Sequence, residues 1–344
     1  MNVSVRSPRG VITPWLRQTV AAVDVRAPSE CILARMNRRR LSLLVTLVAL
    51  AGCGSPTNDT GTDPDAAVTP TDAASAPDTG TADAGALAAY SEPLCDETTS
   101  LADLSTAYVN SAEGLRAATR GIALRRYPIG VAFIDVQSDA QLQGWFRARG
   151  TFADVLNGFE VAVHEGGHIW DITMIRTEWP YRVREDLVIR PRRLTNFNRS
   201  EILTLHANPD ADSYDEVYLR GQSGAQGFNT LLDEYLMYTH SLASRFCTRD
   251  GLPPGQRISS RDGILTMMYY VELYLKLART QHPADYAAII GDPAHVALIR
   301  TVWQRAEFWI ARSMPYPALG LRDAQIRPWT YAPENLMEIE MLPR

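Results

Sequence analysis

Lysine is nearly missing from this chain: of 34 basic residues in 344, only Lys276 is not an arginine. No extended basic tract offsets a formal net charge of −5 at pH 7. That balance excludes nucleic acid as a partner, because binding to a polyanion needs a concentrated positive face. Long apolar runs are missing too. Leu41 to Leu50 is about ten residues, half of what a bilayer-spanning helix needs. The four cysteines form no Cys-x-x-Cys pair, which excludes that class of zinc site. No internal repeat is visible, so repeat arrays are excluded as well.

What is present begins at Met36. The chain reads Met-Asn-Arg-Arg-Arg, then the apolar run, then Ala51-Gly52-Cys53. A basic start, a short apolar core and small residues before a cleavage point describe a secretory signal. Leu50-Ala51-Gly52-Cys53 resembles the bacterial lipobox, whose cysteine is acylated and becomes the mature N-terminus. The resemblance implies that residues 1–35 are not translated, 36–52 are a lipoprotein signal peptide, and Cys53 carries lipid. The protein is then held at the bacterial cell envelope through this membrane anchor, at the outer rather than the inner membrane. Its folded part would be periplasmic or surface-exposed. Loss of residues 1–52 removes eight arginines and two acids and moves the formal charge from −5 to −11.

Gly54 to Ala89 contains no Lys, Arg or aromatic residue. Such a stretch buries too little apolar surface to offset the entropy of ordering it, so 53–89 is expected to be a disordered acidic tether. Residues 90–344 are then the folded domain. Cys31 precedes the mature chain and Cys53 is acylated, which leaves Cys95 and Cys247. A disulfide between them is expected in an oxidising compartment, with two buried free thiols as the alternative.

Helical periodicity dominates the folded part. Leu101 to Leu115 is an amphipathic helix candidate, and Ile129 to Val136 is a β-rich run. Ser138 or Asp139 caps a short helix through Arg147. Asn157, with Glu160 three residues on, forms a capping box for a helix to about Ile175. Tyr181 to Ile189, Ile202 to His206 and Val217 to Arg220 alternate like strands. Helices are expected over Asn229–Phe246, Asp262–Thr280 and from Asp292-Pro293 onward, where Trp303, Phe308 and Trp309 read as core. The fold class is α+β, mostly helical, with a small sheet ahead of the helix that ends near Ile175.

That helix carries His164-Glu165-Gly166-Gly167-His168. Histidines four apart share a helical face, since four residues turn the chain about 40° past a full circle. Both imidazoles can therefore reach one ion. The two glycines each cost about 1 kcal/mol in a helix interior, which makes sense where something approaches the backbone closely. The pattern His-Glu-x-x-His resembles the zincin metallopeptidases. The resemblance implies a zincin-like domain, one Zn2+ ion, a peptide or protein substrate, and Glu165 as the general base that activates water.

A third ligand is required, with one position left open. No histidine follows His168 at metzincin spacing, so the resemblance points to the glutamate-zincin branch, in which a later helix supplies a carboxylate. Glu234 is the expected ligand and His206 its rival. Asp233 is placed on a different face. The Asn-Glu element usual in thermolysin-like enzymes is replaced here by Asp233-Glu234-Tyr235. Tyr238 shares Glu234's face and is the expected oxyanion donor, with Tyr235, Tyr218 and His240 as further candidates. Asp171, three residues after His168, is expected to orient a ligand imidazole. The residues also allow two further functions. One is a non-catalytic envelope lipoprotein with a structural or vestigial zinc site, serving as a binding module. The second is a zinc hydrolase acting on a non-peptide amide.

Overall fold

A computed structural model describes residues 90–93, 95, 99–206 and 213–344. The expectations for residues 1–35, the signal peptide 36–52, Cys53 and the tether 53–89 lie outside them. The described chain runs α1 (Ala102–Ala107), α2 (Ala112–Arg126), α3 (Gly130–Asp135), α4 (Asp139–Gly144) and α5 (Phe152–Met174). A hairpin follows, β1 (Tyr181–Arg184) and β2 (Leu187–Ile189), then α6 (Ser213–Tyr218), α7 (Gly221–Gly224) and α8 (Phe228–Cys247). The C-terminal part is α9 (Ser260–Gln281), α10 (Pro283–Ile290), α11 (Pro293–Ser313), α12 (Asp323–Thr330) and α13 (Pro333–Glu340). Among the described residues no helix is long and apolar enough to cross a membrane.

The core is a stack of long helices: α5 packs on α8, and α8 on both α9 and α11. Helix α8 is buried on nearly all sides because it is sandwiched, and its last residue, Cys247, is bonded to Cys95. That disulfide closes a separation of 152 residues. By loop-closure entropy such a bond restricts the unfolded chain by about 5 kcal/mol. The segment leading into it is held by charge: Glu92 accepts from Arg305 Nε at 2.9 Å and from Trp309 Nε1. In the same last turn of α8, Arg245 donates from Nε to Glu160 at 2.8 Å, and Glu160 also accepts from Ser260 Oγ at 2.7 Å, joining α5, α8 and α9.

Several local expectations are corrected. Ile129 to Val136 is not a strand but contains α3, with the adjacent Phe133 and Ile134 both buried. A strand with one covered face would expose one of the two; packing against α2 and α5 overrides β-propensity here. The small sheet therefore lies after the motif helix rather than ahead of it. It is the antiparallel pair β1–β2, with Tyr181 opposite Ile189. Helix α5 begins earlier than Asn157: Thr151 and Asp154 form its capping box. Leu101 to Leu115 breaks into α1 and α2, where Ser111 caps the second by accepting from Gly114 N. Ile202 to Thr204 belongs to a 3-10 turn, Arg199–Thr204, and Val217-Tyr218 closes α6. The Tyr181–Ile189 hairpin and the helices near Asn229, Asp262 and Pro293 lie where the pattern puts them.

Glu272, on α9, is fully buried and neither carboxyl oxygen has a partner. Burial, reinforced by Glu338, pushes its pKa up to about 10 from 4.5, despite Lys276. The folded state thus holds a proton that the unfolded state releases above pH 4.5. Stability falls as pH rises from about 4.5 to about 10. Glu272→Gln is expected to stabilise the fold by up to about 3 kcal/mol at pH 7 and to change nothing below pH 4. Denaturant melts at pH 4 and pH 7 check this; an equal effect at both would contradict it.

Candidate metal centre

The helices α5 and α8 lie against each other, and the candidate ligands sit in their contact. Close approach depends on the two glycines of α5. A Cβ on Gly166 would meet Phe133 O and Gln137 Nε2 at 2.3 Å, and one on Gly167 would meet Met237 Sδ at 2.0 Å. The first glycine admits α3 and the second admits α8. Gln137 reinforces the first contact by donating to Phe133 O at 2.8 Å and to Ala162 O at 2.9 Å.

This approach brings three expected ligands together. His164 Nε2 and His168 Nε2 are 3.1 Å apart. Glu234 Oε2 lies 3.6 Å from the first and 3.3 Å from the second. A tetrahedral ion with metal–ligand bonds of about 2.0–2.1 Å has edges of about 3.4 Å, so the triangle fits one face of such a tetrahedron. Among the described residues these three form the one group of His, Cys, Asp or Glu with ligand-like spacing. The donor set, two imidazoles and one carboxylate, suits zinc. His206, the rival ligand, is elsewhere, with its Nε2 3.1 Å from Asp215 and its ring against Tyr269.

Each imidazole is held from behind by α8. His168 Nδ1 donates to Asp233 Oδ2 at 2.7 Å, and His164 Nδ1 lies 2.9 Å from Ser241 Oγ. These bonds orient both rings so that their Nε2 atoms face Glu234, and the Asp233 carboxylate, which can only accept, sets the His168 tautomer. Asp233 therefore takes the orienting role expected of Asp171, and it is not turned away from the site. Asp171 stands one step back, buried, accepting from Arg182 N at 3.3 Å. Burial and the neighbouring Asp233 raise its pKa well above the usual carboxylate range. Burial would lower the His168 pKa, but Asp233 and Glu234 outweigh it and raise the group well above its ordinary value. For Glu234, burial is outweighed by His168 and His164, which hold the carboxyl far below the usual range. Asp233→Asn is expected to weaken zinc binding about 10–100-fold, by analogy with other outer partners of ligand histidines. Competition against a chromophoric chelator measures this; unaltered affinity would remove Asp233 from the role.

Glu165 is 1 % exposed and both its carboxyl oxygens lack a hydrogen-bond partner. A buried carboxyl without donors is costly, and here it follows a candidate ligand directly in the chain. The Tyr238 ring is 4.9 Å from the His164 ring, and its hydroxyl is 2.7 Å from that of Tyr218. Tyr235 and His240, the remaining candidates for the oxyanion donor, have different surroundings. Tyr235 is fully buried on another face of α8, within the influence of Glu307 and Glu272. His240 is occupied, with Nε2 donating to Arg182 O at 2.9 Å and Nδ1 facing Tyr127 and Arg305. Burial and the Arg305 charge keep it neutral, well below its ordinary pKa.

Sequence reading missed Ser241 and the role of Asp233. The signal was there: Glu234, Tyr238 and Ser241 fall at i, i+4 and i+7, one face of a helix. Compared with known proteins, the chain matches no family model, no curated protein and no solved structure.

Proposed function

We propose that the protein is a zinc-dependent hydrolase of peptide bonds, with its centre at the α5–α8 contact. The observation that carries this reading is the triangle of His164, His168 and Glu234, with the unpaired Glu165 carboxyl following His164 in the chain. A zinc ion held by the three would polarise the attacking water and the scissile carbonyl. Glu165 takes the proton of that water and hands it to the leaving nitrogen. Tyr238 turns its hydroxyl from Tyr218 to the oxyanion. Asp233 keeps His168 in the ligand tautomer, and Ser241 keeps the His164 ring in place.

A structural zinc site has four protein ligands, and the described residues supply three, which argues against a closed structural site. The Cys95–Cys247 disulfide supports a location outside a reducing cytoplasm; the envelope anchor at Cys53 is proposed on the lipobox resemblance alone. The test is to offer a diverse peptide library to the purified, zinc-loaded protein. Cleavage that a chelator abolishes and zinc restores supports the reading. Zinc binding without cleavage of any peptide would turn it to a non-peptide amide or to the binding module.

A further inference from the structure

The chain has no long basic tract, but the hairpin gathers arginines that are spaced along the sequence. Its ladder runs beyond β1 and β2. Tyr181 lies opposite Ile189 and Arg182 opposite Val188, and a further bridge pairs Glu178 with Arg192. Trp179 N donates to Pro191 O at 2.9 Å, which carries the same register across the gap. Side chains alternate along a strand, so one face takes Trp179, Tyr181, Ile189 and Pro191, all buried or half-buried. The other face takes Arg182, Arg190 and Arg192, with Arg184 following after the irregularity at the turn. Residues 176–193 carry six arginines and three acids in a chain that is acidic as a whole. Arg190 and Arg193 are exposed and have no acidic partner among the described residues. Arg192 is exposed too, and its Nε reaches Asp292 only at 3.5 Å.

The start of the described domain lies against this face. The Arg184 guanidinium is 5.8 Å from the centroid of the Tyr90 ring, and its Nη1 donates to Ser91 O at 3.4 Å. The tether expected over 53–89 therefore enters the domain beside the arginines, and a lipid on Cys53 would bring the same side to a bilayer. We propose that the arginine face of the hairpin docks on anionic phospholipid head groups. Charge complementarity selects the hairpin, because the acidic remainder of the domain is repelled by the same surface. The docked face is also fastened to the helices of the candidate centre. On the edge of β1 away from β2, Arg182 N donates to Asp171 at 3.3 Å, and Arg182 O accepts from His240 Nε2 at 2.9 Å. Docking thus sets how the α5–α8 contact is turned relative to the membrane. The proposal draws on the Cys53 anchor for the choice of a bilayer and does not depend on the metal-centre reading.

The test is co-sedimentation with vesicles of the full chain carrying Cys53→Ala, so that no lipid on that residue contributes. Vesicles of phosphatidylglycerol mixed with phosphatidylcholine are compared with phosphatidylcholine alone. The parent is expected to bind the anionic vesicles, and high salt should release it. The triple variant Arg190→Gln, Arg192→Gln, Arg193→Gln should bind them about a hundredfold more weakly, about fivefold for each arginine. The corresponding triple Lys variant should bind like the parent, because a bilayer reads charge rather than the guanidinium fork. Equal binding of the parent to neutral vesicles would overturn the proposal, as would a Gln variant that binds like the parent. An equal loss in a control triple on other elements, Arg120→Gln, Arg147→Gln and Arg327→Gln, would overturn it by tracing binding to overall charge. Soluble polyglutamate that the parent binds more tightly than the anionic vesicles would also overturn it and make the face a site for an acidic protein.

Discussion

Glu165→Gln is expected to lower kcat for any cleaved peptide by about 10²–10⁴-fold, the range set by removing a positioned general base. Zinc content should remain one ion per chain, because the three ligand atoms belong to other residues. Stability should hold or rise, since an unpaired buried carboxylate is replaced by a neutral amide of the same shape. The pair of measurements matters more than either alone. Activity lost with zinc retained identifies Glu165 as the group that moves the proton. Activity retained would eliminate it, whatever the metal content. Zinc lost together with activity would show that the carboxyl instead helps to hold the ion.

The second large effect concerns folding. Gly166→Ala places a methyl 2.3 Å from Phe133 O, a backbone atom that cannot swing aside. The expected loss is about 3 kcal/mol, the upper end for overpacking, or roughly 6–12 °C in melting temperature for a domain of this size. Gly167→Ala meets Met237 Sδ at 2.0 Å, the flexible end of a side chain, so its cost is smaller and reparable. Shortening the partner in the double variant Gly167→Ala with Met237→Ala should recover most of the loss. A Gly166→Ala protein that melts with the parent would mean that α3 does not press on α5. A Gly167→Ala loss that Met237→Ala leaves unchanged would place the strain elsewhere.

How far these features were legible in the chain depends on how local their causes are. The pairing of His164 with His168 follows from helical repeat alone. Glu234 is readable as a carboxylate in a later apolar helix, and Cys95 with Cys247 by elimination. The glycines could be read as a close approach, but not what approaches: α3 and Met237 are tertiary facts. The β-branched Ile129–Val136 run misleads because two consecutive buried faces are available to it, and that is a property of its neighbours rather than of its residues. Asp233 misleads for a different reason. It sits about 100° around the helix from Glu234, which suggests another face, but His168 reaches across to it because α5 lies directly over both.

One consequence follows from α8 holding Asp233, Glu234 and Ser241 together. Inserting or deleting a single residue between Asp233 and Ser241 would swing one end of the helix by about 100° relative to the other. One imidazole would lose its partner while the other kept it. The eight-position interval is therefore a rigid ruler: substitutions along it can be absorbed by repacking, whereas a change of length cannot.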